Sequence, residues 1–271
     1  MILLSMILFV FGWSGAGAQS QCEFPEKLVG RNMTSNSLGV VFFDNKTTLT
    51  LMEGFRDCVS NCPPIPLSFV CSDSRNDQNG IQYFLRSETS PLGVRLNMCW
   101  YLSRVTDDKW VYYQGPQDYN TYYYSYVIPD DNANMASTCN LTSPLPVDRY
   151  NLLLDTATLT SQGSVCPDIM LGDFSTTLND ATSSCATHFT ICNPTARQTI
   201  TINDTSCTDD AYFTDGGKMD CLHSLAQGNV TYIMTFAPTS DPVSFACMVC
   251  IYVLILHYYE GCGVGLGIVG C

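Results

Sequence analysis

Short apolar runs, interrupted by turn-forming residues, make up most of the chain after residue 18. Runs at 38–43, 94–102 and 230–236 are of strand length and rich in β-branched and aromatic residues. Gly, Pro, Asn, Asp and Ser separate such runs. Apart from the tail, no later segment sustains the helical apolar period of about 3.6 residues over three turns. The pattern therefore predicts a mainly β protein with short strands and many turns.

Two stretches with the same residue order predict two modules. Residues 22–30 and 166–172 each contain Cys, Pro, Leu and Gly in that order, and a Thr-rich, strand-like run follows each. Closely spaced cysteines come after both. We therefore expect two small disulfide-stapled β modules, at 19–118 and 139–240.

A tyrosine-rich segment at 119–138 separates the predicted modules. Five tyrosines lie between Tyr119 and Tyr126, and Pro-Asp-Asp-Asn follows them. We interpret the segment as a linker or an exposed strand. Its tyrosines fit a half-buried strand whose phenols reach water, or an aromatic surface that binds sugar or protein.

The first 18 residues have the pattern of a secretory signal peptide. The apolar run at 2–13 is too short to span a bilayer, and Ala16 and Ala18 form an A-x-A cleavage site before Gln19. The alternative is a buried N-terminal strand. A signal peptide at 1–18 places the mature chain outside the cell or on its surface.

The tail at 241–271 differs from the rest of the chain. Residues 243–259 carry no formal charge, which favours membrane contact through this segment, although about 20 residues are usual for a span. No Lys or Arg follows as a cytoplasmic anchor. We interpret the tail as a membrane helix or a non-native end. A buried strand pair and a lipid-anchor signal are the other readings.

Cysteines and glycosylation sequons indicate an oxidising compartment. The chain has 15 cysteines, an odd number, so at least one does not form an intramolecular pair. A bulky glycan has to lie at the surface, so sequon asparagines should be exposed. The predicted glycosylation sites are Asn32, Asn45, Asn140, Asn203 and Asn229. The predicted disulfide-forming cysteines, whose pairing the sequence leaves open, are Cys22, Cys58, Cys62, Cys71, Cys99, Cys139, Cys166, Cys185, Cys192, Cys207, Cys221 and Cys247.

Charge and motif content argue against several functions. A net charge of −13 argues against nucleic acid as a partner, because phosphate binding needs clustered Lys and Arg. The chain has 3 histidines and no G-x-S-x-G, H-E-x-x-H or P-loop pattern. In an oxidising compartment, the cysteines near His188 and His223 fit disulfides better than a zinc site. We expect no cofactor, no metal site and no catalytic residue.

Carboxylates and tryptophans complete the candidate chemistry. Aspartates cluster at 107–108, 130–131 and 209–220, and the last cluster is interpreted as a solvated acidic loop rather than a calcium site. Paired carboxylates for glycoside hydrolysis stay open, since nothing in the sequence selects a pair. Trp100, next to Cys99, predicts a core aromatic packed against a disulfide on a central strand.

The cysteine-centred motifs form a recognisable set. They are CEFPEKLVG at 22–30, Cys58, Cys62, Cys71, RLNMCWYL at 95–102 and CPDIMLGDFSTT at 166–177. This set resembles the tandem cysteine-rich extracellular domains of unknown function found in invertebrate surface proteins. The resemblance covers residues 22–240 and implies a signal peptide, repeated modules and often a C-terminal membrane helix. Phe174 matches the aromatic residue that usually follows the opening Gly, whereas Arg31 departs from it.

A lipocalin-like single barrel is the alternative fold. Residues 28–30 fit the start of such a barrel's first strand, although the tryptophan expected there is absent. We expect a secreted or cell-surface glycoprotein that acts as a non-enzymatic binding or adhesion module for an extracellular protein or glycan. The alternatives are a carrier of a small apolar ligand with a β-barrel cavity, and a secreted hydrolase that uses paired carboxylates.

Overall fold

Antiparallel β-strands form nearly all of the regular structure. The computed structural model describes residues 22–55, 65–77, 80–87, 95–115, 128–129, 132–139, 145, 147–171, 173–179, 184–190, 197–202, 218–237, 244–251 and 268–270. These ranges contain sixteen strands, one short α-helix, and 3-10 helices at Val147–Arg149, Thr156–Ser161 and Asp168–Met170. The predicted mainly β class is confirmed.

Eight strands of the first sheet close into a barrel. The strands of this sheet are β1 (Asn32–Ser35), β2 (Gly39–Phe42), β3 (Thr48–Phe55), β4 (Ile65–Asp77), β5 (Gly80–Ser87), β6 (Leu96–Arg104), β7 (Lys109–Gly115), β8 (Ile128–Pro129) and β9 (Asn151–Asp155). Strands β1 to β7 pair in chain order, and β9 pairs with both β7 and β1. The two-residue β8 pairs with the start of β6. The result is an antiparallel up-and-down barrel, the architecture of the single-barrel alternative.

The barrel wall has an apolar inner face. Successive residues of a strand point to opposite sides, so Met98, Trp100 and Leu102 of β6 belong to the inner core. Cys99 and Tyr101 of the same strand belong to clusters outside it. Every other barrel strand also contributes residues to the inner core. One continuous hydrophobic core therefore lines the barrel.

The two ends of the barrel differ. Residues 22–31 run across one end, where Phe24 and Leu28 are buried in the inner core. The ring centroid of Phe24 lies 5.1 Å from that of Phe43 and 5.2 Å from that of Tyr83. We call this the closed end. The opposite end, which carries the turn between β1 and β2, is the loop end.

The division into modules at 19–118 and 139–240 is not confirmed. Strand β9 belongs to the second of these ranges, yet it closes the barrel that starts at β1. The disulfide between Cys99 and Cys139 also crosses the expected boundary. Pairing in a closed barrel depends on which strand edges meet in space, and composition along the chain does not carry that information.

The described part of the tyrosine-rich segment packs on the outside of the barrel. Its helix α1 (Met135–Thr138) begins with a capping box at Asn134 and ends at Cys139. Met135 and Cys139 share a small hydrophobic cluster with Phe84 and Cys99 of the barrel wall. This segment is therefore attached to the barrel, although residues 119–127 lie outside the described residues.

The second sheet also follows chain order. Its strands are β10 (Asp173–Asn179), β11 (Ser184–Thr190), β12 (Thr199–Ile202), β13 (Lys218–Gln227), β14 (Val230–Ala237), β15 (Ser244–Ile251) and β16 (Ile268–Gly270). Leu222, Met234 and Phe236 of this sheet form one buried cluster with Tyr101 and Tyr113 of the barrel's outer face. The second sheet thus packs against the outside of β6 and β7.

The first half of the predicted membrane segment is a strand. Strand β15 pairs with β14 along its whole length, from Ser244 to Ile251. Sheet pairing satisfies the backbone groups that a membrane helix would satisfy internally. Among the described residues, no helix has the length and apolarity needed to cross a bilayer. Residues 252–259 lie outside the described ranges.

Three disulfides connect separate parts of the fold. They join Cys22 to Cys71, Cys99 to Cys139, and Cys166 to Cys221. Cys247 is disulfide-bonded as well. The opening cysteine of each repeat-like stretch is thus paired with a strand cysteine, of β4 in the first case and of β13 in the second. The side chains of Cys58, Cys62, Cys185, Cys192 and Cys207 lie outside the described part of the chain.

Candidate functional site

Polar side chains on the inner face of the barrel define the candidate site. Trp100 of β6 and Gln114 of β7 are directly opposite each other in the antiparallel register. Their Cβ atoms are therefore roughly 5 Å apart on the same face. Both side chains are buried, with exposures of 0% for Trp100 and 5% for Gln114. We call Ser35, Met98, Trp100, Tyr112 and Gln114 the barrel site.

Three buried polar atoms on the inner face of the barrel have no hydrogen-bond partner among the described residues. They are Nε1 of Trp100, Nε1 of Trp110 and Oε1 of Gln114. The amide nitrogen of Gln114 donates to the sulfur of Met98 at 3.6 Å, and a thioether is a weak acceptor. An unpaired buried polar group costs about 1–3 kcal/mol, and such groups are rare in native proteins. A molecule with complementary polar groups, bound inside the barrel, would remove this cost.

A hydroxyl cluster lies beside the tryptophan. The Tyr112 hydroxyl is 2.5 Å from Ser35 Oγ and 2.7 Å from Ser37 Oγ, and Ser37 is in the turn at the loop end. Backbone N–H groups of Ser37 and Leu38 donate to Ser35 Oγ. The Tyr112 ring packs against Trp100, with centroids 5.0 Å apart. Tyr112 therefore connects the polar loop end with the centre of the barrel site.

Two charged side chains of the strands around the site, Arg86 of β5 and Lys109 of β7, face outward. Arg86 donates to Asn97 Oδ1 at 3.0 Å, and its guanidinium lies 5.4 Å from the ring centroid of Phe84, a residue of the outer cluster. Lys109 extends to the second sheet. The polar groups of the barrel site are therefore uncharged.

One pair of carboxylates converges at the closed end. Arg31 Nη1 donates to Asp108 Oδ1 at 2.6 Å and to Asp155 Oδ2 at 2.8 Å. The hydrogen bond that Arg31 donates to Asp108, together with the charges of both aspartates, raises the pKa of Arg31. A glycoside hydrolase needs open space between its two carboxyl groups for the scissile bond. Here the guanidinium occupies that space, so this pair does not favour the hydrolase hypothesis.

Lys109 links the barrel to the second sheet by hydrogen bonds. Its buried ammonium donates to Gln162 O at 2.7 Å, and to Ser164 Oγ and Leu222 O at 2.6 Å each. Burial lowers the pKa of Lys109 to about 8. An ammonium has three N–H donors, and all three have protein acceptors here. Lys109 therefore has a structural role, as a hydrogen-bonded link between the barrel and the second sheet.

His223 lies near Lys109 and is expected to make the stability of the protein depend on pH. Burial and, secondly, the charge of Lys109 lower the pKa of His223 to about 4. Because an unfolded histidine titrates near 6.5, the unfolded state binds more protons between pH 6.5 and 4. The contribution of His223 to the free energy of unfolding is thus fully present above pH 6.5. It falls by about 3 kcal/mol as the pH drops to 4.

Urea unfolding of the wild type and of His223→Gln at pH 7 and pH 4 measures this loss of stability. Carboxylates titrate in both proteins, so the comparison isolates the histidine. We expect the variant to lose about 3 kcal/mol less than the wild type on acidification. Equal losses in both proteins would contradict the assignment.

The predicted glycosylation sites that the structure describes lie at the surface. Asn32, Asn45 and Asn229 are exposed. The Asn45 side-chain oxygen accepts hydrogen bonds from the backbone N–H and the hydroxyl of Thr47, within its own sequon. Asn140 and Asn203 lie outside the described residues. Glycosylation at all five positions stays a prediction.

Other sequence predictions fall outside the described part of the chain. They concern the signal peptide at 1–18, the tyrosines at 119–126, and the aspartates at 130–131 and within 209–215. Within the described residues, no group of three or more His, Cys, Asp and Glu side chains is arranged to hold a metal ion.

Sequence reasoning missed most of the barrel site. Trp100 is in the core as predicted, but the Cys99 disulfide lies on the opposite face of β6, so the two do not form the expected packing pair. The alternation in β7 carries the missed signal. Trp110, Tyr112 and Gln114 are spaced by two residues, which places the polar Gln114 on the same face as two core aromatics.

Comparisons with known proteins add no relative. None of the protein-family models, curated proteins or solved structures matches this chain.

Proposed function

We propose that this protein is an extracellular carrier whose closed barrel binds one small, largely apolar ligand at the barrel site. The supporting observation is that two polar atoms buried on the inner face of the barrel, Trp100 Nε1 and Gln114 Oε1, have no hydrogen-bond partner in the described part of the chain. Eight-stranded barrels are wide enough either to be filled by side chains or to hold one small ligand. Unpaired polar atoms fit the second case, because ligand pockets are mainly apolar with a few polar groups that orient the ligand.

The disulfides and the exposed sequons support an extracellular setting for this carrier. Disulfides persist in oxidising compartments, and three of them connect parts of this fold. The barrel lining favours a carrier over an adhesion module, since adhesion calls for an exposed contact surface. Among the described residues, the exposed large hydrophobic side chains do not form one run: Met52 lies in β3, whereas Val105 and Val165 lie in separate loops.

Titration with N-phenyl-1-naphthylamine, a neutral apolar fluorophore, tests the carrier function. Both tryptophans downstream of the predicted signal peptide, Trp100 and Trp110, contribute to the inner core, so energy transfer to the probe reports binding close to the barrel. We expect saturable 1:1 binding with a Kd of about 1–10 µM, a range equivalent to roughly 7–8 kcal/mol. Absence of saturable transfer would refute the proposal.

A matched pair of glutamine variants separates a binding role from a structural one. Gln114→Met removes an unpaired buried acceptor, so we expect weaker probe binding, by about tenfold, with unchanged or higher stability. Gln162 is also buried, but its amide donates to Thr158 Oγ1 at 2.6 Å, outside the barrel. Gln162→Met should lower the free energy of unfolding by about 1 kcal/mol and leave probe binding unchanged.

A further inference from the structure

The polar lining of the barrel restricts the charge of the ligand. We propose that the barrel site selects an uncharged amphipathic molecule with a hydroxyl or amide head group, and rejects carboxylates of the same size. This inference rests on the proposed carrier function and adds the chemical class of the ligand.

The barrel site offers a ligand no countercharge among the described residues. Its five side chains are all neutral. The cations of the neighbouring strands, Arg86 and Lys109, are bound on the outer face, to Asn97 and to acceptors near the second sheet. A carboxylate buried beside Trp100 would therefore have no cation as a partner among the described residues. Burying an unpaired charge is far more costly than burying a hydroxyl that is hydrogen-bonded.

The two polar atoms available to a ligand at the barrel site differ in their hydrogen-bonding type. Trp100 Nε1 can only donate, and Gln114 Oε1 can only accept. A group that both accepts and donates, such as an alcohol, a phenol or an amide, satisfies both atoms at once. A carboxylate only accepts, so it would leave Gln114 Oε1 unpaired.

Two cations at the closed end, Arg31 and Arg104, are already paired with carboxylates. Arg104, the last residue of β6, is exposed and pairs with Asp107. Arg31, at the closed end, is held by Asp108 and Asp155, at 2.6 and 2.8 Å. Phe24 and Leu28 are buried in the core at that same end. Arg31 is thus already paired with two carboxylates, at the end that residues 22–31 cover.

Competition between 1-dodecanol and dodecanoate at pH 7.5 tests the proposed chemical class of the ligand. The two compounds share one chain and differ in the head group. Each is titrated into the full chain loaded with N-phenyl-1-naphthylamine, and displacement of the probe is followed by fluorescence. We expect dodecanol to displace the probe at a concentration at least tenfold lower than dodecanoate.

A charge-introducing variant gives the reverse test. Gln114→Lys places a cation beside Trp100 and should reverse the order, so that dodecanoate becomes the stronger competitor. If the variant fails to fold by circular dichroism, the wild-type comparison decides alone. Equal displacement by both compounds, or a preference of the wild type for dodecanoate, would overturn the ligand class. Failure of the fluorophore itself to bind would instead overturn the carrier function.

Discussion

A fragment that ends at residue 118 is expected to be unfolded, whereas a fragment of residues 22–161 is expected to fold. The shorter fragment lacks β9, which pairs with β7 at Trp110 and with β1 at Met33 and Ser35. Without β9, two strand edges are left unpaired, and the inner core loses Leu153, which is fully buried. Loss of Cys139 also removes the partner of Cys99.

Secretion of both fragments from an oxidising host, followed by circular dichroism and urea unfolding, measures the difference. The longer fragment should show one cooperative transition, and the shorter one no transition. The longer fragment contains six cysteines, an even number, at positions 22, 58, 62, 71, 99 and 139. Cooperative unfolding of the 22–118 fragment would show that the first module ends there after all.

Replacement of both Cys22 and Cys71 by serine is expected to lower the free energy of unfolding by about 4 kcal/mol. This disulfide spans 49 residues and connects the segment across the closed end to β4. Its removal increases the entropy of the unfolded chain by an amount that grows with the closed loop. It also releases Phe24 and Leu28, which are buried in the inner core.

Cys250→Ala is the matched control for the disulfide variant. Cys250 is a buried, unpaired thiol with its sulfur 3.0 Å from that of Met170, and burial raises its pKa to about 12. Its replacement removes a cysteine without opening a loop, so we expect a loss of about 1 kcal/mol. Urea midpoints measure both variants. Equal losses in the two would show that the Cys22–Cys71 bond adds nothing beyond ordinary side-chain packing.

Local patterns predicted the class of the fold. Short apolar runs bounded by turn residues indicate strands because β-branched and aromatic residues fit the pleated, half-buried surface of a strand, whatever its partner. Trp100 was predicted to be buried for a similarly local reason, since an aromatic within a strand pattern normally faces a core. Residues 22–30 were recognised as a distinct opening segment, and in the structure this segment covers the closed end.

Closure of the barrel was not predictable in the same way. Strand β9 lies about 36 residues after β7 in sequence, counted from Gly115 to Asn151, yet pairs with it directly. The entropy of closing a loop varies slowly with its length, so the sequence separation between two strands is a weak guide to whether they pair. The modules were therefore divided at a change in composition, whereas the barrel continues past it.

The short apolar runs, separated by turn residues, by themselves determined that the chain forms short strands. The cysteine content indicated that disulfides cross-link these strands. The tertiary structure alone decided that β9 closes a barrel, that Cys22 pairs with Cys71, and that Trp100 and Gln114 face each other inside. The physical reason is that strand formation depends on neighbouring residues. Closure, disulfide pairing and the composition of an interior depend on segments far apart in the chain, which meet only when the barrel is complete.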